Sequence, residues 1–486
     1  MPLIIGAKSA TASGVTIANS CRFEIANSTD LTKTSGTATD VDICTVSAWV
    51  KRGSLSAGDE VIMGEYTDAS NRGKLLFHSS DRLVYFQKTG GSTTIYVAPT
   101  RLFRDVGAWY HIVVAFDTTQ VTDTDKIKFY VNGVQETDFT ETTYGSTDQN
   151  VRINESSAPQ FIGQAGGSAS YFSGYLAEVC FIDGQQLTPS SFGEFNEDSP
   201  TIWKPKSADD ISGLTFGNNG FYFNFEDSAD LGADVSGNSN DFTATNLAAI
   251  DQTTDTPTNN FCTFNPLAPS SAGQNLENGN LYCPGPNSPN YWQSVPSTLG
   301  ARVGKWYWEF KDENSWGDTS NDTRRYGICD LDTIVQTLSS GADVSFSDTT
   351  SAYAYMNSSG VRYNGGTISG TDANYPTFEP DDILMCAMDL DNQKLYFGKN
   401  GTWLDSSDPT SGATGTGSVA DISATATWSP YVETHYGSDN VSANFGNPIA
   451  APSSGNADAN GYGNFEYAVP SGYLALCTKN LGSDGG

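Results

Sequence analysis

One pattern occurs twice in this sequence and constrains its fold more than any other. An apolar run closing on Asp is followed by a polar loop, a Lys-led aromatic strand and then Asn-Gly. The first copy joins Trp109-Tyr110-His111-Ile112-Val113-Val114-Ala115-Phe116-Asp117 to Lys126-Ile127-Lys128-Phe129-Tyr130-Val131-Asn132-Gly133. The second joins Ile383-Leu384-Met385-Cys386-Ala387-Met388-Asp389 to Lys394-Leu395-Tyr396-Phe397-Gly398-Lys399-Asn400-Gly401. A continuous apolar run bounded by turn residues reads as a strand buried on both faces. The strand after it alternates, with Ile127, Phe129 and Val131 on one face and Lys126, Lys128 and Tyr130 on the other. Asn-Gly then supplies the positive φ of a tight hairpin. The same hairpin in each half implies one structural solution used in two modules.

The rest of the chain agrees with an all-β reading. Trp306-Tyr307-Trp308-Glu309-Phe310 puts Trp306, Trp308 and Phe310 on one face, and Val441-Ser442-Ala443-Asn444-Phe445 alternates likewise, so both are expected as half-buried strands. The 49 Gly and 20 Pro are spread along the chain, as many short strands joined by turns require. A length of 486 residues allows about two to four domains. The expected organisation is an N-terminal arm over residues 1–14, a β-sandwich over 15–198, a β-rich connector with short strands over 199–259, a second sandwich over 260–450 and a C-terminal tail over 451–486.

These strands also carry a family resemblance. Ser47-Ala48-Trp49-Val50-Lys51-Arg52, Trp109-Tyr110-His111-Ile112-Val113-Val114, Phe129-Tyr130-Val131-Asn132-Gly133 and Gly174-Tyr175-Leu176-Ala177-Glu178-Val179 resemble, in that order, the laminin G-like, concanavalin A-like lectin/glucanase domains. Gly304-Lys305-Trp306-Tyr307-Trp308-Glu309-Phe310, Tyr326-Gly327-Ile328, Leu395 to Gly401 and Val441 to Gly446 resemble the SPRY domain, itself a concanavalin A-like jelly roll. The tandem, with Gly220-Phe221-Tyr222-Phe223-Asn224-Phe225, Asp234 to Asp241 and Pro470 to Leu476 around it, is similar to appendage proteins of tailed bacteriophages, marine ones especially. The resemblance implies a virion surface protein made in the host cytoplasm. Other virion proteins and a host-surface glycan are its implied partners, and multivalent display implies a homo-oligomer, read as a trimer.

Charge narrows the partners. Against 25 Lys plus Arg stand 56 Asp plus Glu, a net charge of -31, with no basic run for a phosphate backbone, so nucleic acid is not expected as a partner. No run approaches the ~18 apolar residues of a membrane span, and Met1-Pro2-Leu3-Ile4-Ile5-Gly6 lacks the basic region of a signal peptide. The eight cysteines form no Cys-x-x-Cys pair; Cys180 and Cys386 lie in apolar runs and read as core, as in a reducing compartment.

Catalysis finds no complete constellation, and the chain is expected not to be an enzyme. A retaining glycosidase needs two carboxyl groups about 5 Å apart, which alternate positions on one strand supply. Glu178 and Asp183 are five apart and point to opposite faces of a regular strand. His111 sits in an apolar strand and reads as a core histidine. No cofactor is expected. The laminin G-like resemblance implies calcium as the candidate metal, with Asp117, Asp123 and Asp125 on the loop of the first hairpin as its ligands, the alternative being that this loop is only a solvated acidic face. Asp234 to Asn240 lacks the Gly and Glu of an EF-hand and reads as a turn held by Asp and Asn side chains. For ligand binding, Trp316, Tyr375 and Trp403 stand in polar, Gly-rich loops, where a flat ring beside Asn, Asp or Ser can stack on a sugar. The leading functional expectation is a tail fibre, capsid fibre or decoration protein presenting glycan-binding sandwiches for host attachment. A purely structural virion protein comes second and a carbohydrate-active enzyme third.

Overall fold

The computed structural model describes residues 15–55, 58–167, 169–197, 199–267, 276–286, 292–313, 324–338, 351–357, 361–363, 367–368 and 375–484. They form two compact units, the first ending at Thr258 and the second beginning at Asn259. The fold class is all-β, built from packed antiparallel sheets.

The first unit contains strands β1 (Ser20–Phe23), β2 (Asp30–Thr34), β3 (Ile43–Arg52), β4 (Glu60–Asp68), β5 (Asn71–Phe77), β6 (Leu83–Thr89), β7 (Ser92–Pro99), β8 (Tyr110–Asp117) and β9 (Ile127–Val131). It continues with β10 (Val134–Gln135), β11 (Phe139–Thr143), β12 (Pro159–Ile162), β13 (Gly174–Asp183), β14 (Gly193–Phe195), β15 (Trp203–Pro205), β16 (Phe221–Phe223), β17 (Thr243–Thr245) and β18 (Gln252–Thr253). One sheet runs β10-β9-β8-β3-β13-β1-β18, with β16 also on β13; the other runs β11-β7-β6-β5-β4-β12-β2-β17. Between them lies one core, to which β3 gives Val46, Ala48 and Val50 and β8 gives Ile112, Val114 and Phe116. Each of these Val, Ile and Phe side chains, fully buried, contributes about 1.5–3 kcal/mol.

The β8 strand is buried on its other face too, as its unbroken apolar run requires. Val113, Cys180 and Ile182 on the outer face of the first sheet pack under Phe192, Ile211, Phe216 and Tyr222. The covering residues lie largely in the segment expected as a connector. That segment is instead part of the first unit: β16 pairs with β13, β17 with β2 and β18 with β1. A buried ion pair fastens it, with Lys51 Nζ 2.7 Å from Asp255, whose other oxygen accepts from Trp109 Nε1 at 3.0 Å. Within it the Asp234 turn is as expected: the carboxylate accepts from the backbone N–H of Tyr222, Ser236 and Asn240.

The second unit repeats the plan. One sheet orders the strands Tyr282–Cys283, Val441–Asn444, Lys305–Asp312, Ile383–Asp389, Lys394–Lys399 and Thr402–Trp403, and Leu474–Ala475 adds in parallel to Lys305–Asp312. The other orders Gln293–Pro296, Trp428–Thr434, Arg325–Asp330, Ala352–Met356, Val361–Tyr363 and Thr367–Ile368. Trp306, Trp308 and Phe310 share the core between the sheets. The strand is not half-buried, however, because Tyr307, Met385 and Ala387 on the opposite face are covered by Phe465 and Tyr473. The expected tail is thus the second unit's own cover. Glu309 holds it, accepting from the backbone N–H of Glu466 and Tyr467 at 2.9 and 2.8 Å.

Both hairpins turn as read. Asn132 and Gly133 have φ of 48° and 80°, Asn400 and Gly401 of 49° and 81°. In both, the Asn Oδ1 accepts from the first strand of the hairpin, from His111 N at 2.8 Å and from Ile383 N at 2.9 Å. All eight cysteines are free and buried.

If residues 199–258 belong to the first unit, Asp255→Ala in the intact chain should cost about 3–5 kcal/mol, because it leaves the Lys51 ammonium buried without its carboxylate. Urea unfolding measures this, and a fragment 15–198 should melt well below 12–258. Equal melting temperatures would contradict the assignment.

Candidate functional site

The residues singled out from the sequence do not converge. Trp316 lies outside the described residues. Tyr375 is in the core, 4 % exposed and edge-on to Tyr355, so its ring has no free face for a sugar. Trp403 is half-buried and packs edge-to-face with Tyr307 in the apolar cover of the second unit. The three aspartates are engaged locally: Asp117 by Thr119 and Gln120, Asp123 by Lys126 at 2.8 Å and Asp125 by Lys128 at 3.2 Å. Asp42 lies in the same negative field as Asp117, and burial together with Asp40, Asp148, Asp117 and Glu155 raises its pKa. Among the described residues no three His, Cys, Asp or Glu groups stand where they could share a metal ion.

Glu178 and Asp183 serve different ends. Pairing between β3 and β13 shifts register between Ala177 and Cys180, and Glu178 occupies the bulge with φ 49°. Its carboxylate accepts from the hydroxyl of Tyr222, and burial pushes its pKa up to about 7. Asp183 accepts from the backbone N–H of Thr39, Asp40 and Asn219 and from Asn154 Nδ2, which makes it the knot of four chain segments. His111 is a core residue as expected. Its Nδ1 accepts from Trp203 Nε1 at 2.9 Å, so Nε2 carries the proton and donates to Ser47 Oγ at 2.9 Å. Burial lowers its pKa to about 3.

What the structure does assemble is an open face on the second sheet of the first unit. Along β5, Leu75 and Phe77 point into the core, so Arg72, Lys74 and Leu76 point out. Cross-strand pairing then sets the row: Lys74 lies opposite Phe86 and Phe86 opposite Tyr96, while Arg72 lies opposite Lys88. Phe86 and Tyr96 meet edge-to-face, centroids 6.3 Å apart, and the Arg72 guanidinium sits 5.8 Å over the Phe86 ring. Beneath them Val61, Leu76, Val84 and Ala98 form a buried apolar floor, completed by Ala165 of the segment that lies over Gly64 on β4, so the face presents β5 to β7. The rings and cations themselves are half-exposed. Burial, then Glu141 and Asp59, raises the Tyr96 pKa. Such a face offers apolar rings for a flat apolar surface and charged groups beside them for polar substituents.

Sequence reading passed over these residues because β5 and β6 look like ordinary alternating strands. The signal present is at the outward positions, which carry Arg72, Lys74, Phe86, Lys88 and Tyr96. Elsewhere in the first unit a concavity of about 490 Å³ is lined by Tyr130, Thr188, Glu194, Phe195, Trp203 and Lys206. Its Trp203 ring is fixed against Gly133 and Gly193, and Phe195, 41 % exposed and edge-on to Trp203, is its most exposed ring.

Comparison with known proteins finds a family match within the first unit. The sequence profile of the concanavalin A-like lectin/glucanases superfamily matches residues 26–191. No curated protein matches the chain. Similar solved structures include the SPRY domain of human HERC1, 17 % identical over 37 % of this chain and 96 % of that one with a TM-score of 0.28. A putative carbohydrate binding protein from Bacteroides ovatus is 16 % identical over 48 % of this chain and 61 % of that one, TM-score 0.33. A heptameric SAP-like pentraxin from Limulus polyphemus is 18 % identical over 36 % and 80 %, TM-score 0.26.

The raised pKa of Glu178 has a sign that can be checked. Between about 4.5 and 7 the folded chain holds a proton that the unfolded chain has lost, so this group costs stability as pH rises and costs most above 7. Glu178→Gln is therefore expected to melt a few degrees above the parent at pH 8, with the difference shrinking towards pH 5, in a series of thermal unfolding curves.

Proposed function

We propose that this chain is a non-catalytic glycan-binding protein and that the open face over β5 to β7 is where the glycan lies. One observation carries the reading: the half-exposed Phe86–Tyr96 pair, on an apolar floor and ringed by long polar side chains, on a sheet whose other face packs into the core. A pyranose ring has an apolar face and a polar rim, and such a surface is complementary to both. The match of residues 26–191 to the profile of the concanavalin A-like lectin/glucanases superfamily supports the reading. Separation of Glu178 and Asp183 into two unrelated networks supports binding over hydrolysis.

The setting we propose is the surface of a tailed-bacteriophage particle, as a tail fibre, capsid fibre or decoration that attaches to a host-surface glycan and assembles with other virion proteins as a homo-oligomer. Peptide mass spectrometry of purified particles tests that setting.

Binding to a polysaccharide panel by affinity electrophoresis tests the function. Phe86→Ala with Tyr96→Ala should weaken retention roughly 10- to 100-fold, as expected where about 1.4–2.8 kcal/mol is lost. Phe195→Ala, in the concavity beside Trp203, should leave it unchanged. Retention lost with Phe195→Ala but kept without Phe86 and Tyr96 would move the site to the Trp203 groove.

A further inference from the structure

On a chain with 25 Lys plus Arg and 56 Asp plus Glu, a cation has no shortage of partners. In the first unit Arg52 pairs with Glu60 and Asp81, Arg101 with Glu136, Arg104 with Asp81 and Arg152 with Glu65. The open face departs from this. Arg72, Lys74, Arg82 and Lys88 have no carboxylate ion pair among the described residues. Arg72 and Lys88 are direct cross-strand neighbours, an arrangement that costs stability through like-charge repulsion. Arg82 precedes inward-facing Leu83, so alternation turns it to the same outer side.

The unmet demand extends to hydrogen bonds. Arg72 Nε and Arg82 Nε are both shielded from solvent without an acceptor, and a donor left so costs about 1–3 kcal/mol. Lys74 is pushed below its ordinary pKa by burial and then by Arg72. Two carboxylates stand near: Asp59, which lies 4.0 Å from His78, and Glu141, whose influence falls on Tyr96. Neither closes an ion pair with the four cations. An incoming anion would supply what the fold leaves out, and a guanidinium fork matches carboxylate or sulfate with two parallel hydrogen bonds.

We infer that the face takes an anionic polysaccharide, with Arg72, Lys74, Arg82 and Lys88 meeting its carboxylate or sulfate groups while Phe86 and Tyr96 carry the sugar rings. This rests on the glycan-binding reading and names its ligand class. Nucleic acid offers phosphate to the same cations, but its dense charge would meet a chain of net charge -31, and the two rings stand edge-to-face rather than as separate stacking platforms.

The test uses the whole chain in affinity electrophoresis and calorimetry against alginate, which is carboxylated, κ-carrageenan, which is sulfated, neutral agarose and a single-stranded DNA oligonucleotide. Binding to alginate or carrageenan, in preference to agarose, should weaken as NaCl is raised from 20 to 500 mM, roughly the span over which a ~20 Å screening length falls below ~5 Å. Which of the two binds identifies carboxylate or sulfate as the anion. R72Q with R82Q should reduce that affinity about tenfold or more. K74Q with K88Q, whose thermal unfolding is checked first, gives the same readout should the arginine pair fail to fold. Agarose bound as tightly as the acidic chains and without salt dependence would overturn the anionic class and leave glycan binding standing. DNA bound more tightly than either acidic polysaccharide, or full affinity in both charge variants, would also overturn it. No binding to any polysaccharide would overturn both readings together.

Discussion

A strand that is apolar on both faces must be covered on both faces, and in each unit that requirement falls on the sheet carrying the Asn-Gly hairpin. The second sheet of the sandwich covers one side. The other is covered by chain that arrives later in the sequence: Phe192, Ile211, Phe216 and Tyr222 in the first unit, Phe465 and Tyr473 in the second. The hairpin glycine is the seat for that cover as well as the hinge of the turn. A Cβ on Gly133 would fall 2.2 Å from the Trp203 ring, and one on Gly401 would fall 3.0 Å from Tyr467. Positive φ and close approach therefore select the same residue twice over.

Buried carboxylates do the fastening. Asp255 joins Lys51 and Trp109 in the first unit, and Glu309 collects two backbone amides, the Tyr307 hydroxyl and Asn444 in the second. A buried charge is tolerated only where it is paired or richly hydrogen-bonded, so each of these groups specifies where its covering segment must lie. With that segment spent on one sheet, the outer face of β5 to β7 in the first unit is left uncovered among the described residues, where Arg72, Lys74, Phe86 and Tyr96 can meet a ligand.

Most of the architecture was legible in the sequence because it follows from local rules. The β8 run, the Ile127, Phe129, Val131 alternation and the two Asn-Gly turns are set by side-chain period and by φ. The role of residues 199–258 and 451–484 was not legible, because a cover is defined by what it packs against, hundreds of positions away: Lys51 and Asp255 are separated by 204 residues. The site was hidden for a similar reason. Tyr375 sits in a polar stretch yet is buried, since its neighbours in space include Tyr355, whereas Phe86 and Tyr96 sit in unremarkable strands and become a face only when β5, β6 and β7 align.

The claim on which the functional account depends is that a glycan occupies the open face over β5 to β7. A crystal structure of the chain soaked with an oligosaccharide from the bound polysaccharide tests it most directly. The account predicts density lying across Lys74, Phe86 and Tyr96, within hydrogen-bonding reach of the Arg72 or Arg82 guanidinium. Density in the groove beside Phe195 and Trp203, with the sheet face bare, would contradict it.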